Sequence, residues 1–284
     1  MPRRLAATVA TFATFATMSA LVLSSGSAGA DRTQSHRNPS ALHGGGVLIR
    51  SNSHEVLPLH SGTATSTNWS GYAVTPAGGG ITGVTSTFAV PTGGLIPPGF
   101  AATWTGIGGY DTSDLIQAGV AEASLPSLPA VGEQYDAWFE LLPNAETPLT
   151  GCTGDANCTV APGDAVTVHI FQIGATEWTI SMVDAGHWTW SSNVSYQSSN
   201  SSAEWIQEAP TVEGLQSLLA NTGTTSFGPT STYAAGGQTL TIAQGNPTQI
   251  DLSPGLINEA TPSALAADGQ SFNVCAYAQI CATP

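Results

Sequence analysis

Apolar residues alternate with polar ones along many short segments, and this alternation limits the possible folds more than any other feature of the chain. Val166, Val168 and Ile170 occupy every second position of one segment, and residues 177–183 repeat the pattern after Gly174-Ala175-Thr176. A period of two places one face of a strand in a core. Further short segments of this kind, separated by Gly, Pro, Asn and Ser, predict an all-β fold, a β-sandwich of two antiparallel sheets.

Three segments test the details of this prediction. Residues 81–90 alternate toward Pro91 and predict a first hairpin or strand pair. Residues 212–220 and 262–267 have a helix-like composition, but both are too short to change the fold class.

Residues 1–30 have the three parts of a secretory signal peptide. Arg3 and Arg4 precede an apolar stretch from Leu5 to Leu23, and the small residues Ala28-Gly29-Ala30 follow. A membrane anchor is the alternative, because about 20 apolar residues span a bilayer. The interspersed Thr and Ser and the small-residue site favour cleavage. We therefore predict a secreted, extracellular protein with no membrane attachment after signal removal.

The charges are divided unevenly along the chain. There is no Lys, and all five basic residues precede position 51, namely Arg3, Arg4, Arg32, Arg37 and Arg50. Residues 31–65 have little periodic apolar content and predict a pro-segment or linker. Residues 66–284 are then long enough for one large all-β domain with a real core.

A domain with acidic side chains and no Lys or Arg is a poor partner for nucleic acid or anionic membranes. Its carboxylates repel one another at neutral pH, and protonation at low pH removes most of that repulsion. We expect a protein that works in acid; an acidic surface that only confers solubility is the alternative.

The four cysteines form two local pairs, Cys152 with Cys158 and Cys275 with Cys281. In an exported chain these pairs predict two small-loop disulfides, although four cysteines allow three pairings. Zinc ligands are usually more closely spaced, so no metal and no cofactor are expected.

Elimination leaves chemistry carried out by carboxylates and amides. The predicted domain has only His169 and His187 as possible general bases, and no Gly-x-Ser-x-Gly or His-Glu-x-x-His motif accompanies them. Asp111-Thr112-Ser113 is the only near match to an aspartic peptidase turn. Two classes remain: acid hydrolysis of peptides, and hydrolysis of glycosides by a carboxylate pair.

Five short motifs occur in order and together resemble the glutamic peptidases, or eqolisins. They are Asn68-Trp69-Ser70-Gly71, Trp104-Thr105-Gly106-Ile107, Leu115-Ile116-Gln117-Ala118-Gly119-Val120, Tyr135-Asp136-Ala137-Trp138-Phe139-Glu140 and Ala203-Glu204-Trp205-Ile206. The resemblance implies two packed, curved sheets of the concanavalin A-like or jelly-roll-like kind, with a catalytic Gln/Glu pair on the concave face.

Carried over motif by motif, the resemblance makes Gln117 and Glu204 the catalytic pair. Cleft-lining or supporting positions are implied for Trp69, Asp136, Trp138, Glu140 and Glu208. One position departs from the family, because Gly108 stands where an acidic residue is usual; Asp111 or Asp114 could substitute for it.

In this reading an ionised Glu204 takes a proton from a bound water and later returns it to the leaving amine. The amide of Gln117 holds the water and donates to the developing oxyanion at any pH. Protein or peptide substrates and a monomeric enzyme are expected. The Arg and His side chains of the pro-segment would pair with the acidic domain at neutral pH, and acid would permit self-cleavage.

Two alternatives stay open at this point. One is an acid glycosidase that uses Glu140 and Glu204, with tryptophans stacking on sugars. The other is a carbohydrate-binding β-sandwich without catalysis. Neither alternative needs Gln117.

Overall fold

The computed structural model describes residues 49–50, 56–60, 62–77, 80–94, 96–124 and 133–284. The predicted signal peptide, residues 1–30, lies outside these ranges, as does most of the predicted pro-segment. Among the described residues, no helix has the length and apolar character that a membrane crossing requires.

Nearly all regular structure in the described ranges is β-strand. The strands are β1 Ile49–Arg50, β2 Val56–His60, β3 Thr63–Ser66, β4 Trp69–Val74, β5 Ile81–Ala89, β6 Gly99–Ile107, β7 Ile116–Ser124, β8 Glu133–Leu141, β9 Thr147–Pro148, β10 Ala165–Gln172, β11 Glu177–Asp184, β12 Trp188–Ser195, β13 Ala203–Glu208, β14 Thr211–Val212, β15 Leu215–Gln216, β16 Thr224–Phe227, β17 Thr232–Ala235, β18 Gln238–Thr241, β19 Thr248–Leu252, β20 Ala260–Pro262 and β21 Phe272–Ala276. A short 3₁₀ helix, Ile242–Gly245, follows β18.

The strands form two layers. In the first layer, the order β4, β13, β6, β7, β8 is antiparallel throughout, and β19 joins it beside β4. In the second layer, β12, β11, β10 and β5 pair in that order, and β5 also pairs with β16 and β17. This confirms the predicted β-sandwich.

The apolar side chains that alternate along β10 and β11 supply the core between the layers. Val166, Val168 and Ile170 are fully buried there, and Ala118 and Trp205 of the first layer belong to the same cluster. The opposite face of the first layer carries a second apolar cluster that includes Trp69, Trp104, Trp138 and Ile206. Burial on both faces explains why β7 and β13 are buried at every position.

Both predicted helices are wrong. Residues 212–220 instead contain the β14–β15 hairpin, whose two loop residues, Glu213 and Gly214, have φ of +50° and +82°. Positive φ at both loop residues is typical of the tight turns that match strand twist. Residues 262–267 begin at the end of β20 and continue without a helix.

One other expectation differs in detail, and one stays a prediction. The predicted hairpin in residues 81–90 is one nine-residue strand, β5. The segment predicted to be a pro-segment, residues 31–65, contributes β1, β2 and most of β3, and β3 pairs in parallel with β19. The boundary at residue 66 stays a prediction.

The two local cysteine pairs are both disulfides. Cys152 is bonded to Cys158 and Cys275 to Cys281, each across a Cα–Cα distance of 5.4 Å. The first bond closes the loop before β10, and the second ties the C-terminal residues to β21.

Candidate active site

One row of residues crosses five neighbouring strands of the first layer. Ala73, Glu204, Gly106, Gln117 and Glu140 are directly opposite one another in successive strand pairs. Residues opposite one another point to the same face of a sheet, and neighbouring strands lie about 4.8 Å apart. Glu204 and Gln117 therefore flank a position at which Gly106 has no side chain, and we call this position in the row the gap between the carboxyl and the amide.

The glycine in this gap is required by its neighbours. A Cβ atom at Gly106 would lie 2.9 Å from Leu115 Cδ1, 3.0 Å from the Ile116 carbonyl oxygen and 3.1 Å from Gln117 Cβ. Any larger residue would press on the strand that carries Gln117, so the space beside the amide depends on glycine.

Glu140 fixes the orientation of the Gln117 amide. Gln117 Nε2 donates a hydrogen bond of 2.6 Å to Glu140 Oε2, and both side chains are fully buried. This contact uses one of the two N–H groups on Nε2. The Gln117 Oε1 atom has no hydrogen-bond partner among the described residues. The remaining N–H can donate to an acceptor in the gap, and Oε1 can accept from a donor there.

Glu204 is buried without strong compensating donors. Neither of its carboxyl oxygens makes a well-formed hydrogen bond to another described residue. Burial raises the pKa of Glu204 well above its usual range, and the charges of Asp111 and Asp114 add to this shift. The Ser202 hydroxyl and the Tyr110 backbone N–H oppose it. The neutral carboxylic acid is therefore favoured while the site is covered.

Asp114 occupies the space beside Gly108. A Cβ atom on Gly108, whose φ is +85°, would lie 2.8 Å from Asp114 Oδ2. That same oxygen accepts hydrogen bonds from the Ser199 backbone N–H at 2.6 Å and the Ser198 hydroxyl at 3.2 Å. Burial acts to raise the pKa of Asp114, but its hydrogen bonds, led by that from Ser199 N–H, lower the pKa below its usual value.

The other predicted site residues lie in two further rows on the same face. The first contains Ile206, Trp104, Gly119 and Trp138. The second contains Trp69, Glu208, Ala102, Ala121 and Asp136. The structure thus brings all seven predicted residues to one face. Glu140 lies in the same row as Glu204 and Gln117, Trp138 lies in the next row, and Trp69, Glu208 and Asp136 lie two rows away.

Glu208 is held by two donors that sequence reasoning did not identify as site residues. Trp104 Nε1 donates to Oε2 at 2.8 Å, and Asn68 Nδ2 donates to Oε1 at 3.1 Å. Trp104 also packs edge-on against Trp69, with ring centroids 4.9 Å apart. Both donors stand in the sequence motifs, but their partner is more than 100 positions away, and only strand register reveals it.

This whole face is closed. Gln117, Glu204, Glu140, Trp69 and Trp138 are 0% exposed. The side chains of Glu208 and Asp136 on the same face are also buried. Strand β14 follows β13 after two residues and pairs with β1. This pairing places Ile49 and Arg50 beside the chain segment that follows Glu208. Within the described ranges, the group with suitable metal-ligand geometry, Asp164, Asp184 and His187, belongs to the second layer.

The comparisons with known proteins agree with this architecture. The family model described as the peptidase A4 family matches residues 67–268. No curated protein matches the chain.

Three solved structures share the fold. Scytalido-glutamic peptidase with a peptide-based transition-state analogue has a TM-score of 0.56 and 16% identity over 74% of this chain and 98% of that chain. SCP-B, an eqolisin in complex with the tripeptide Ala-Ile-His, has a TM-score of 0.54 and 16% identity over 75% of this chain and 98% of that chain. Aspergilloglutamic peptidase from Aspergillus niger has a TM-score of 0.53 and 19% identity over 63% of this chain and 99% of that chain.

Proposed function

The chain belongs to the peptidase A4 family and is a glutamic-type peptidase, and we propose that Glu204 and Gln117 are its catalytic pair. The observation that carries the proposal is the row in which Gly106 separates the two side chains. The gap over Gly106 is the place where a water and a peptide carbonyl would meet. Membership of this family decides between the two classes of hydrolase in favour of peptide hydrolysis.

Glu204 would act first as a general base. Its ionised carboxylate takes a proton from the water, and the water oxygen attacks the carbonyl carbon of the peptide. The carboxylic acid then returns the proton to the amine that leaves. Because neither Glu204 oxygen is tied up by a strong donor among the described residues, the carboxylate is free to exchange protons with the water.

Gln117 would hold the water and stabilise the oxyanion. Its second Nε2–H points away from the bond to Glu140 and can donate to the developing negative charge. A preorganised donor of this kind costs no reorganisation during the reaction. In this account Glu140 positions the amide, and Trp138, Trp69, Asp136 and Glu208 shape and support the surrounding face.

Access to the pair requires the covered face to open. Burial favours neutral Glu204, and a neutral acid cannot act as a base. Entry of water would lower its pKa and restore the carboxylate. The closed face therefore corresponds to an inactive state, and opening couples activity to the ionisation of Glu204.

The segment before residue 66 is the proposed cover. Its support is the backbone pairing of Ile49 and Arg50 with Thr211 and Val212, together with the basic residues that precede an acidic domain. We propose that the chain is secreted after loss of residues 1–30, that residues 31–65 act as an inhibitory pro-segment, and that acid weakens their ion pairs with the domain. The active enzyme would be a monomer that works on protein or peptide substrates.

Hydrolysis of a denatured protein from about pH 2 to 7 tests the pair. Wild type should release peptides, whereas Glu204→Gln and Gln117→Ala should release almost none, with all three proteins folded. Proteolysis that survives both substitutions would exclude the proposed pair. Processing of a Glu204→Gln precursor in acid at the wild-type rate would show that another peptidase removes the pro-segment.

A further inference from the structure

We propose that Asp164, Asp184 and His187 form a binding site for a zinc-like divalent cation at one end of the second layer. Asp164 directly precedes β10, Asp184 is the last residue of β11, and His187 directly precedes β12. The three residues thus lie at the ends of three neighbouring strands, in the layer that does not carry Glu204 and Gln117. The proposal is independent of the peptidase mechanism.

The ligand atoms are spaced as a small dication requires. His187 Nδ1 lies 3.0 Å from Asp184 Oδ2 and 3.8 Å from Asp164 Oδ1. All three ligand atoms lie within 4.8 Å of one another. Ligands held about 2.0–2.2 Å from a tetrahedral zinc ion are about 3.3–3.6 Å apart. The observed distances bracket that value, so small side-chain movements would complete the geometry.

A buried carboxylate oxygen lacks a donor at this place. Asp184 is 1% exposed, and its Oδ1 has no hydrogen-bond partner among the described residues. An oxygen of the Asp164 carboxyl lies within 4.8 Å of an oxygen of the Asp184 carboxyl, and two carboxylates offer each other only acceptors. His187 Nδ1 reaches the other Asp184 oxygen, Oδ2. A cation held by this cluster would offset the charge of the two neighbouring carboxylates and compensate for the donor that Oδ1 lacks.

The surrounding backbone holds the three side chains in place. The Ala161 N–H donates to Asp164 Oδ2 at 2.7 Å, which leaves Asp164 Oδ1 facing His187. The His187 N–H donates to the Asp184 carbonyl oxygen at 3.0 Å and closes the turn between β11 and β12. Next to this turn, Thr153 of the Cys152–Cys158 loop pairs with Thr189. A site built on such fixed turns loses little freedom when a cation binds.

The mixture of ligands selects the class of metal. Calcium and magnesium prefer oxygen ligands alone, whereas zinc accepts imidazole nitrogen together with carboxylate oxygen. Three protein ligands leave a fourth position for water. The His187 side chain is 57% exposed, so a cation can enter from solvent. Bound there, the cation would link three chain segments of the second layer and stabilise the fold at neutral pH.

Metal-dependent thermal unfolding tests the proposal. Untagged full-length protein, stripped with a chelator and kept at pH 7, would be unfolded with and without Zn²⁺, and separately with Ca²⁺. A hundredfold excess of Zn²⁺ over its dissociation constant should raise the Tm by about 5–10 °C, with one ion bound per chain in calorimetry. Asp164→Asn and His187→Gln should each abolish the shift.

Matched variants keep the test specific. Glu177→Gln removes an exposed charge at the other end of β11, and His169→Gln removes a histidine from β10; both should retain the shift. Wild type should also produce the visible absorption bands of bound Co²⁺, a readout that needs no variant. Absence of any zinc or cobalt binding, a shift that survives Asp164→Asn and His187→Gln, or stabilisation by Ca²⁺ alone would each overturn the proposal.

Discussion

Glu204 and Glu208 lie on the same face of the same strand, four residues apart, but their surroundings differ. Glu208 accepts hydrogen bonds from the Trp104 indole and the Asn68 amide, one at each carboxyl oxygen. Glu204 accepts no well-formed hydrogen bond from a described residue, and it faces Gln117 across the gap at Gly106.

This difference assigns different tasks to two chemically identical side chains. A buried carboxylate with donors at both oxygens is stabilised and serves the structure. A buried carboxyl without such donors is costly to the fold, and its proton can be exchanged with a bound water. Under the proposed function, Glu208 supports the face and Glu204 reacts on it.

The largest expected effect is the loss of activity when the proposed general base is removed. Glu204→Gln should lower kcat/KM for peptide hydrolysis by about 10²–10⁴-fold, the range for general base catalysis. Glu208→Gln should instead lower the free energy of unfolding by about 1–3 kcal/mol. The reason is that either the Trp104 indole N–H or the Asn68 amide N–H would then face an amide N–H in place of a carboxylate oxygen. Steady-state rates per folded molecule and urea unfolding measure both. Equal activity losses in the two variants would contradict the proposed difference between Glu204 and Glu208.

The next effect concerns the amide opposite Glu204. Gln117→Ala should lower kcat by about 10²–10³-fold, as removal of one oxyanion donor does. Glu140→Gln should give a smaller loss, because Gln117 remains but its orientation is no longer fixed by a carboxylate. A Glu140→Gln loss as large as that of Gln117→Ala would mean that Glu140 itself takes part in the reaction.

A smaller effect is expected on how the stability of the closed precursor depends on pH. Burial raises the pKa of Glu204 above its unfolded value, so the folded state binds the extra proton and stability falls as pH rises above about 4.5. Glu204→Gln removes this loss. The variant should match wild type near pH 3 and be more stable near pH 7 in denaturant titrations. A constant difference across this range would contradict the raised pKa.

The smallest effect tests the residue beside Gly108. Asp114→Asn removes a negative charge that helps to raise the pKa of Glu204. The acid limb of the kcat/KM profile should therefore move to lower pH, with a modest change in the maximum rate. Asp268→Asn, a substitution on an exposed turn near the C-terminus, is the control. No movement of the acid limb, or an equal movement in the control, would show that Asp114 does not act on Glu204.

The sequence was informative about strands and much less so about the contacts between them. Alternation at Val166, Val168 and Ile170 was enough to predict a sandwich, because period-two burial is a local property. The helix-like stretch after residue 211 became the β14–β15 hairpin through the turn at Glu213 and Gly214. Tertiary pairing overrides weak helical preference in segments this short.

Only part of the site could be predicted from the sequence motifs. The motifs predicted Glu204 and Gln117 as the catalytic pair, but the gap at Gly106 arises from the register of β13, β6 and β7. Register depends on pairing between distant segments, and a shift of one residue would turn every side chain to the other face. The role of Trp104 as a donor to Glu208 was hidden for the same reason.

Infrared difference titration of mature enzyme, wild type against Glu204→Gln, tests most directly whether Glu204 is the base. The carboxyl band that the substitution removes reports the protonation of this one side chain. We predict that its midpoint coincides with the acid limb of kcat/KM for peptide hydrolysis. A Glu204 carboxyl that stays protonated throughout the pH range of full activity would contradict the account.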